Sequence, residues 1–369
     1  MKLRLVDVLH CRCGTQNFDL KDIVMRQVHF HDQFTEVRCQ RFCALKGCLV
    51  KPGSVTPQDC MECYGKEVME GSLRCKCGQE YLIRGGIPRF LPKEMTKDVE
   101  KIQKTFSLEW KMFRFGERNW GQDLSYRRQQ FLQAMGVVAD QLQGKLIFDA
   151  GCGSGLLSMD MARTLGMEVV ALDLAFGIEQ AFLHNESPYV HFVQGSVMDP
   201  PIRDGVFDYV YCAGVLVACP DTRKGFLAII QTLKRGARCV IWVYHPIDSA
   251  YHPKDHRKLL VYNWIRQNIT SRLPIKLQNL LYLSLMPLFL IKQGIGIARG
   301  TVKTPLTWRE KMQGLVDMFS PIYQNRHRPE EVEEWYKAER FSDICVVDRG
   351  PYGFGVRGDL SSLHSHAPQ

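Results

Sequence analysis

Between residues 146 and 244, short apolar runs alternate with longer segments that repeat their apolar positions at helical spacing. Leu146, Ile147 and Phe148 begin the first run. Further runs at 169–172, 190–193, 207–211 and 239–244 predict four more strands. Continuous rather than alternating hydrophobicity suits strands buried on both faces, and strands separated by helices predict an α/β fold with a parallel sheet. The first helix is expected over 156–165, with Leu156, Met159 and Leu165 on one face. Ligands of such sheets sit beyond the carboxyl ends of the strands, here 149–155, 173–174, 195–197, 212–215 and 244–245. Later, Pro329, Glu330 and Glu331 start a helix with Val332 and Trp335 inward. Strands at 343–347 and 352–356, turning at Gly350-Pro351, close the pattern, and 361–369 reads as a loose tail.

The loop after the first strand is G-x-G-x-G, with Gly151, Gly153 and Gly155, and the second strand ends at Asp173. Glycine permits positive φ and close approach of a ligand to the backbone. The following helix offers free N–H groups and a positive dipole end. An acid at the second strand tip can accept hydrogen bonds from ribose hydroxyls. A dinucleotide fingerprint would need Gly or Ala where Leu156 stands. The segment DAGCGSG resembles motif I of class I S-adenosylmethionine methyltransferases, D-x-G-C-G-x-G, and Asp173 their acidic motif II. The resemblance runs through 145–244 and again through 341–357. It implies a Rossmann-like seven-stranded methyltransferase sheet binding S-adenosylmethionine. Asp149, Gly151, Cys152 and Gly153 would meet the methionyl part, Asp173 the ribose, and Leu174 and Val197 the adenine. Ser196 stands where relatives often place an acid on the adenine amino group, and Ala213 completes the expected cofactor set. In GVLVACPDT, Val217 and Ala218 replace two histidines of relatives, so no role passes to those positions. There is no N/D-P-P-Y motif of the kind that would suggest methylation of an amide or nucleobase nitrogen.

Cysteine usage marks a separate module over 1–92, which holds nine of the 14 cysteines. No apolar leader opens MKLRLVDVLHCRCG, so a cytoplasmic setting with reduced thiols or metal ligands is expected. CRCG (Cys11, Cys13), CKCG (Cys75, Cys77) and EYLIRGGIPRFLP resemble the zinc-ribbon module found in front of some methyltransferases. That resemblance implies a structural zinc on Cys11, Cys13, Cys75 and Cys77. Both turns are C-x-C, one residue shorter than the usual knuckle. Cys60 and Cys63 do have the knuckle spacing, and Cys39, Cys43 and Cys48 could add ligands. The other reading is a ribbon that has lost its metal and buries its thiols.

The remaining segments frame the site. Residues 93–144 are helical and aromatic-rich, and they resemble the F-x-x-x-W stretch that closes over the cofactor in relatives; Trp110 and Trp120 are the candidates to line it. Residues 251–304 interrupt the domain formed by 145–250 and 305–360, as a helical cap insertion. Within 251–310 stand ten Lys/Arg against two acids, Asp255 and Glu310, nearly the whole excess of a chain of net charge +9. The fifteen-residue apolar run 277–291 contains Pro287 and is shorter than the ~20 residues of a bilayer span. A cap over the active site is the first expectation; a peripheral membrane contact through 251–304 is the second.

Methyl transfer to a hydroxyl needs a nearby base. His245, after the fifth strand, and His327, in SPIYQNRH, are the candidates, with Tyr323 positioning the acceptor. The acceptor is expected to be a small molecule, a hydroxyl of a sugar, aromatic or lipid-linked metabolite. RNA methylation, with the ribbon and the basic segment gripping backbone phosphates, is the second reading; nucleic acid is the less favoured partner, because a long apolar stretch interrupts the basic residues. A non-catalytic scaffold is the third reading, kept open by the changes at Ser196, Val217 and Ala218.

Overall fold

Strands without polar alternation need cover on both faces, and the computed structural model provides it around a seven-stranded sheet. It describes residues 1–15, 18–30, 32–91, 94–115, 117–118, 121–347, 350 and 352–362. The N-terminal part comprises β1 (Phe18–Gln27), β2 (Phe42–Cys43), β3 (Cys48–Leu49), α1 (Pro57–Tyr64), β4 (Lys66–Cys75), β5 (Glu80–Arg84) and β6 (Ile87–Pro88). Helices α2 (Lys97–Met112) and α3 (Leu124–Met135) lead into the alternating part. There β7 (Leu146–Ala150), α4 (Leu156–Leu165), β8 (Glu168–Asp173), α5 (Gly177–Leu183) and β9 (Val190–Gln194) form one half. The other half holds β10 (Phe207–Ala213), α6 (Thr222–Ile230) and β11 (Leu233–Tyr244). After the insertion helices α7 (His256–Asn268), α8 (Ile275–Ala298) and α9 (Trp308–Phe319) come α10 (Pro329–Ala338), β12 (Phe341–Val347) and β13 (Gly353–Leu360).

The strand order is β12-β13-β11-β10-β7-β8-β9. From β11 to β9 all neighbours are parallel, whereas β13 runs antiparallel to both β11 and β12. The order in which strands are added reverses between β7 and β10, and the crevice at that switch is where such sheets bind ligands. Buried residues of α3, α4 and α5 cover one face, and those of α6 and α10 cover the other. Strand β11 starts six residues earlier than its apolar run, with an irregular register around Gly236, whose φ is 75°. The inward face of α4 also differs from expectation. Leu157, Met161 and Leu165 are buried, while Leu156 and Met159 are only partly so.

The cysteine-rich module shares a core with the central sheet. Its β1-β4-β5-β6 sheet abuts the edge strand β9, where Phe90 N donates to Gln194 O at 2.7 Å and Arg89 bridges Gln194 in parallel. This pairing closes the sheet edge to another chain at Gln194, the last residue of β9. The 3₁₀ turn Leu3–Asp7 is buried throughout. Its Arg4 Nε lies 3.2 Å from a Glu168 carboxylate that also pairs with Arg38 at 3.3 Å and with His191 Nε2 at 3.0 Å. Burial pushes the Glu168 carboxyl up, but Arg4, His191 and Arg38 outweigh it and hold the group well below the ordinary carboxylate range.

A carboxyl depressed in the folded state stabilises the fold above its unfolded pKa, and that contribution is lost as pH falls below it. Glu168→Gln would take from buried Arg4 one of its two carboxylates, leaving Asp7 at 2.6 Å, so a loss of about 1–3 kcal/mol is expected near neutral pH. Urea unfolding at pH 7 and pH 4 should show the gap between wild type and variant narrowing at the lower pH.

Candidate active site

The chain leaves β7 through a loop that only glycine can form as built. Gly151 has φ 91°, and a Cβ there would lie 2.2 Å from Val215. Gly153 has φ 56°, and a Cβ there would lie 2.2 Å from the Trp110 ring. Gly151 N and Cys152 N donate to Leu172 O at 2.8 and 3.0 Å, which folds the loop back on β8. Asp173 then fixes its apex: Oδ2 accepts from Gly153 N and Oδ1 from Ala175 N, both at 2.8 Å. Burial raises the Asp173 carboxyl, against the pull of those amide donors. Beneath the loop, burial pushes Asp149 up to about 6, and its Oδ2 accepts from the Ser158 hydroxyl at 2.5 Å.

A cavity of about 930 Å³ opens beyond the strand ends. Every expected cofactor residue except Gly153 lines it: Asp149, Gly151, Cys152, Asp173, Leu174, Ser196, Val197 and Ala213. Gly153 sits directly under Trp110, which itself lines the cavity. Leu174 O is held by the side-chain amides of Gln103 and Gln194, at 3.1 and 3.2 Å. Ser196 Oγ accepts from Met198 N at 3.2 Å, closing the turn after β9. Trp120, the other tryptophan expected here, lies outside the described residues.

The expected acceptor-side residues stand elsewhere. Among the described residues lining the cavity, His245, His327 and Tyr323 are absent. Strand parity explains the first. Val240, Trp242 and Tyr244 line the cavity at alternate positions, so His245 falls outside that face. Its ring stacks on Tyr251 at 4.3 Å and lies 4.9 Å from Phe354. His327 bonds Glu331 and Thr222, each at 3.0 Å, and ties the start of α10 to α6. Tyr323 donates to Asp98 at 2.6 Å and fastens the segment after α9 to α2.

What the cavity holds instead is a polar group from three elements: buried Glu109 on α2, and half-buried Tyr244 on β11 and Asp317 on α9, with Arg326 just beyond it. Burial pushes Asp317 up to about 6, against the pull of its hydrogen bond from Tyr244 and of the Arg326 charge. Burial, reinforced by Asp317 and Asp173, raises Glu109 well above the carboxylate range. Glu109 is 1% exposed, and its Oε2 has no hydrogen-bond partner among the described residues. The Arg326 guanidinium lies 5.4 Å over the Tyr244 ring and donates to His245 O at 2.9 Å. Sequence signals for these groups existed. Glu109 falls in the inward stripe of α2 with Val99, Ile102 and Phe106. The capping box of Thr307 and Glu310 announces α9, on which Gly314, Asp317 and Met318 share the cavity face.

The four cysteines of the two C-x-C-G turns converge, with all four sulfurs within 4.8 Å of one another. Cys11 and Cys77 are 3.7 Å apart, and Cys13 and Cys75 are 3.5 Å apart. The turns are built alike: Cys11 N bonds Thr15 O as Cys75 N bonds Gln79 O, each at 2.8 Å. Gly14 and Gly78 close them at φ 83° and 86°.

The sheet order, glycine loop and strand-tip acid define an α/β domain of the nucleotide-cofactor type. Residues 148–241 match the family model of a methyltransferase domain. The chain therefore carries a methyltransferase domain on a class I sheet. It is 36% identical over 114 residues to the ubiquinone biosynthesis O-methyltransferase of Xanthomonas oryzae pv. oryzae, covering 30% of this chain and 47% of that one. It is 30% identical over 112 residues to the O-methyltransferase cnsE of Penicillium expansum, covering 29% of this chain and 41% of the relative. The chain thus spans less than half the length of these relatives. Among solved structures, magnesium protoporphyrin IX methyltransferase from Synechocystis PCC 6803, determined with bound SAH, aligns at 15% identity and a TM-score of 0.42. That alignment covers 72% of this chain and 100% of the other.

Gly153→Ala tests the loop. A side chain at this φ costs about 1–2 kcal/mol, and it must also displace Trp110. Calorimetric titration with S-adenosylhomocysteine should show affinity at least ~10-fold weaker, with a lowered Tm.

Proposed function

We propose that this chain methylates a hydroxyl oxygen of a small acceptor with an apolar body, using S-adenosylmethionine. The observation that carries this reading is the sharing of one cavity by the Asp173 cradle and the Asp317–Tyr244 pair. S-adenosylmethionine supplies an electrophilic methyl on a cationic sulfur that leaves readily. Gly151, Gly153, Asp149 and Asp173 would hold its methionyl and ribose parts, and Leu174, Ser196 and Val197 its adenine. The buried acids stand toward that positive charge, which favours its binding. Asp317, ionised at neutral pH, takes the hydroxyl proton as the oxygen–carbon bond forms, directly or through Tyr244. Glu109, whose Oε2 has no partner among the described residues, offers a hydrogen bond to the acceptor in the same space. Val99, Ile102, Phe106, Leu259, Tyr262 and Met318 supply apolar walls, suited to an aromatic or lipid-linked body. Two relatives are O-methyltransferases by name, one of them for ubiquinone biosynthesis, which agrees with such an acceptor.

The four-cysteine cluster fits a structural zinc. Zn–S bonds of about 2.3 Å in a tetrahedron separate the sulfurs by about 3.8 Å, close to the spacings of 3.7 and 3.5 Å seen here. Bound there, the ion would pin the chain before β1 to the end of β4, where Phe18 pairs with Cys75.

Two measurements test these readings. With tritiated S-adenosylmethionine and an alkyl-substituted catechol as probe acceptor, label should pass to the solvent-extractable product. The base must be ionised to act, so the rate should rise with pH through about 6. Asp317→Asn should lower kcat by about 10²–10⁴ and abolish that rise while S-adenosylhomocysteine still binds. Metal analysis should return one zinc per chain, lost in the double variant Cys13→Ser with Cys77→Ser together with part of the thermal stability.

A further inference from the structure

The insertion places its most apolar helix away from the cavity. Among the described residues, α7 and α9 line that space and α8 contributes nothing to it. Helix α8 runs 24 residues, well beyond the fifteen-residue apolar run, and of its most apolar 18-residue window only 11% is buried. Leu277, Leu280, Leu288, Ile291 and Ile295 form one outward stripe; Leu280 and Leu288 are 64% exposed and Ile291 61%. Helix α7 adds Leu260, Val261 and Trp264, the last 58% exposed, on a face opposite its cavity residues Leu259, Tyr262 and Asn263.

We propose that α7 and α8 are a docking surface for an anionic phospholipid bilayer, with α8 lying in the plane of the headgroups. Charge selects this occupant. From 256 to 309 the chain holds nine Lys/Arg and no acid. Arg272, Lys276, Lys292, Arg299 and Lys303 are exposed around the apolar stripe. Apolar side chains flanked by basic ones match acyl chains beneath phosphate headgroups. A second copy of this face would instead bring like charges together.

Length alone would let α8 cross a bilayer, but its other side is fastened along the helix. Gln278, Tyr282 and Met286 are buried, and Tyr282 OH bonds Ser320 Oγ at 3.0 Å. Further along, Gln293 holds Leu306 O and N at 2.9 and 3.1 Å. A spanning α8 would carry the start of α9, with Arg309, Glu310 and Lys311, into hydrocarbon. In-plane binding leaves these contacts intact. It also sets the bilayer one helix away from the cavity, because α7 faces both. Resting on the proposed function, this supplies a route for a membrane-dissolved acceptor.

Vesicle flotation of the full chain decides the matter, with S-adenosylhomocysteine binding measured on the same preparation. The wild type should float with phosphatidylcholine vesicles containing about one-third phosphatidylglycerol, far less with phosphatidylcholine alone, and should be released by alkaline carbonate. The triple variant Leu280→Asp, Leu288→Asp, Ile291→Asp changes exposed positions only. Its floated fraction should fall at least ~10-fold with nucleoside binding unchanged. A wild type that floats with neither vesicle, a triple variant that floats equally well, or resistance to carbonate would overturn the proposal. So would a dimer abolished by the triple variant in a chain that ignores vesicles. Failure of the wild type to bind S-adenosylhomocysteine would count against the methyltransferase reading and leave the flotation result standing.

Discussion

One half-buried carboxylate holds the cofactor cradle in shape. Asp173 accepts from Gly153 N with one oxygen and Ala175 N with the other, so it locks the glycine loop of β7 against the tip of β8. The bond is possible because Gly153 takes a conformation that disfavours every other residue. It matters because burial raises the carboxyl and makes each donor to it count for more. Trp110 closes over the same glycine, so α2, the loop and β8 are positioned together.

Around that cradle the chain builds two kinds of support. The N-terminal module covers the β9 edge and threads Arg4 to Glu168, at the start of the strand that ends in Asp173. The module and the cradle are therefore joined through one strand. On the other side, α9 brings Asp317 to the cavity and receives α8 on its outer face. The element that carries the proposed base is thus the one that carries the apolar helix.

Sheet and cradle were legible in the sequence because each rests on local rules. Continuous apolar runs require covered strands, and glycine spacing with a terminal acid requires a particular turn. Zinc-ribbon likeness selected Cys11, Cys13, Cys75 and Cys77, which the fold does gather. The acceptor side was read less well, because tertiary approach decides it. Histidines drew attention for their pKa, yet His245 lies off the face shared by Trp242 and Tyr244, and His327 is engaged at a helix start. Burial makes ordinary acids titrate where a histidine would, and no local pattern shows that Glu109 and Asp317 meet in one cavity. Apolarity all round α8 marked it as unusual without showing which side the protein covers.

The most direct measurement is calorimetric binding of S-adenosylhomocysteine to the wild type and to Asp173→Ala. Wild-type binding in the micromolar range, weakened about 30-fold or more in a folded variant, is the predicted result, since two charge-assisted hydrogen bonds and the loop anchor are lost together. Equal binding by the two proteins, or none by a folded wild type, would contradict the account of the cradle.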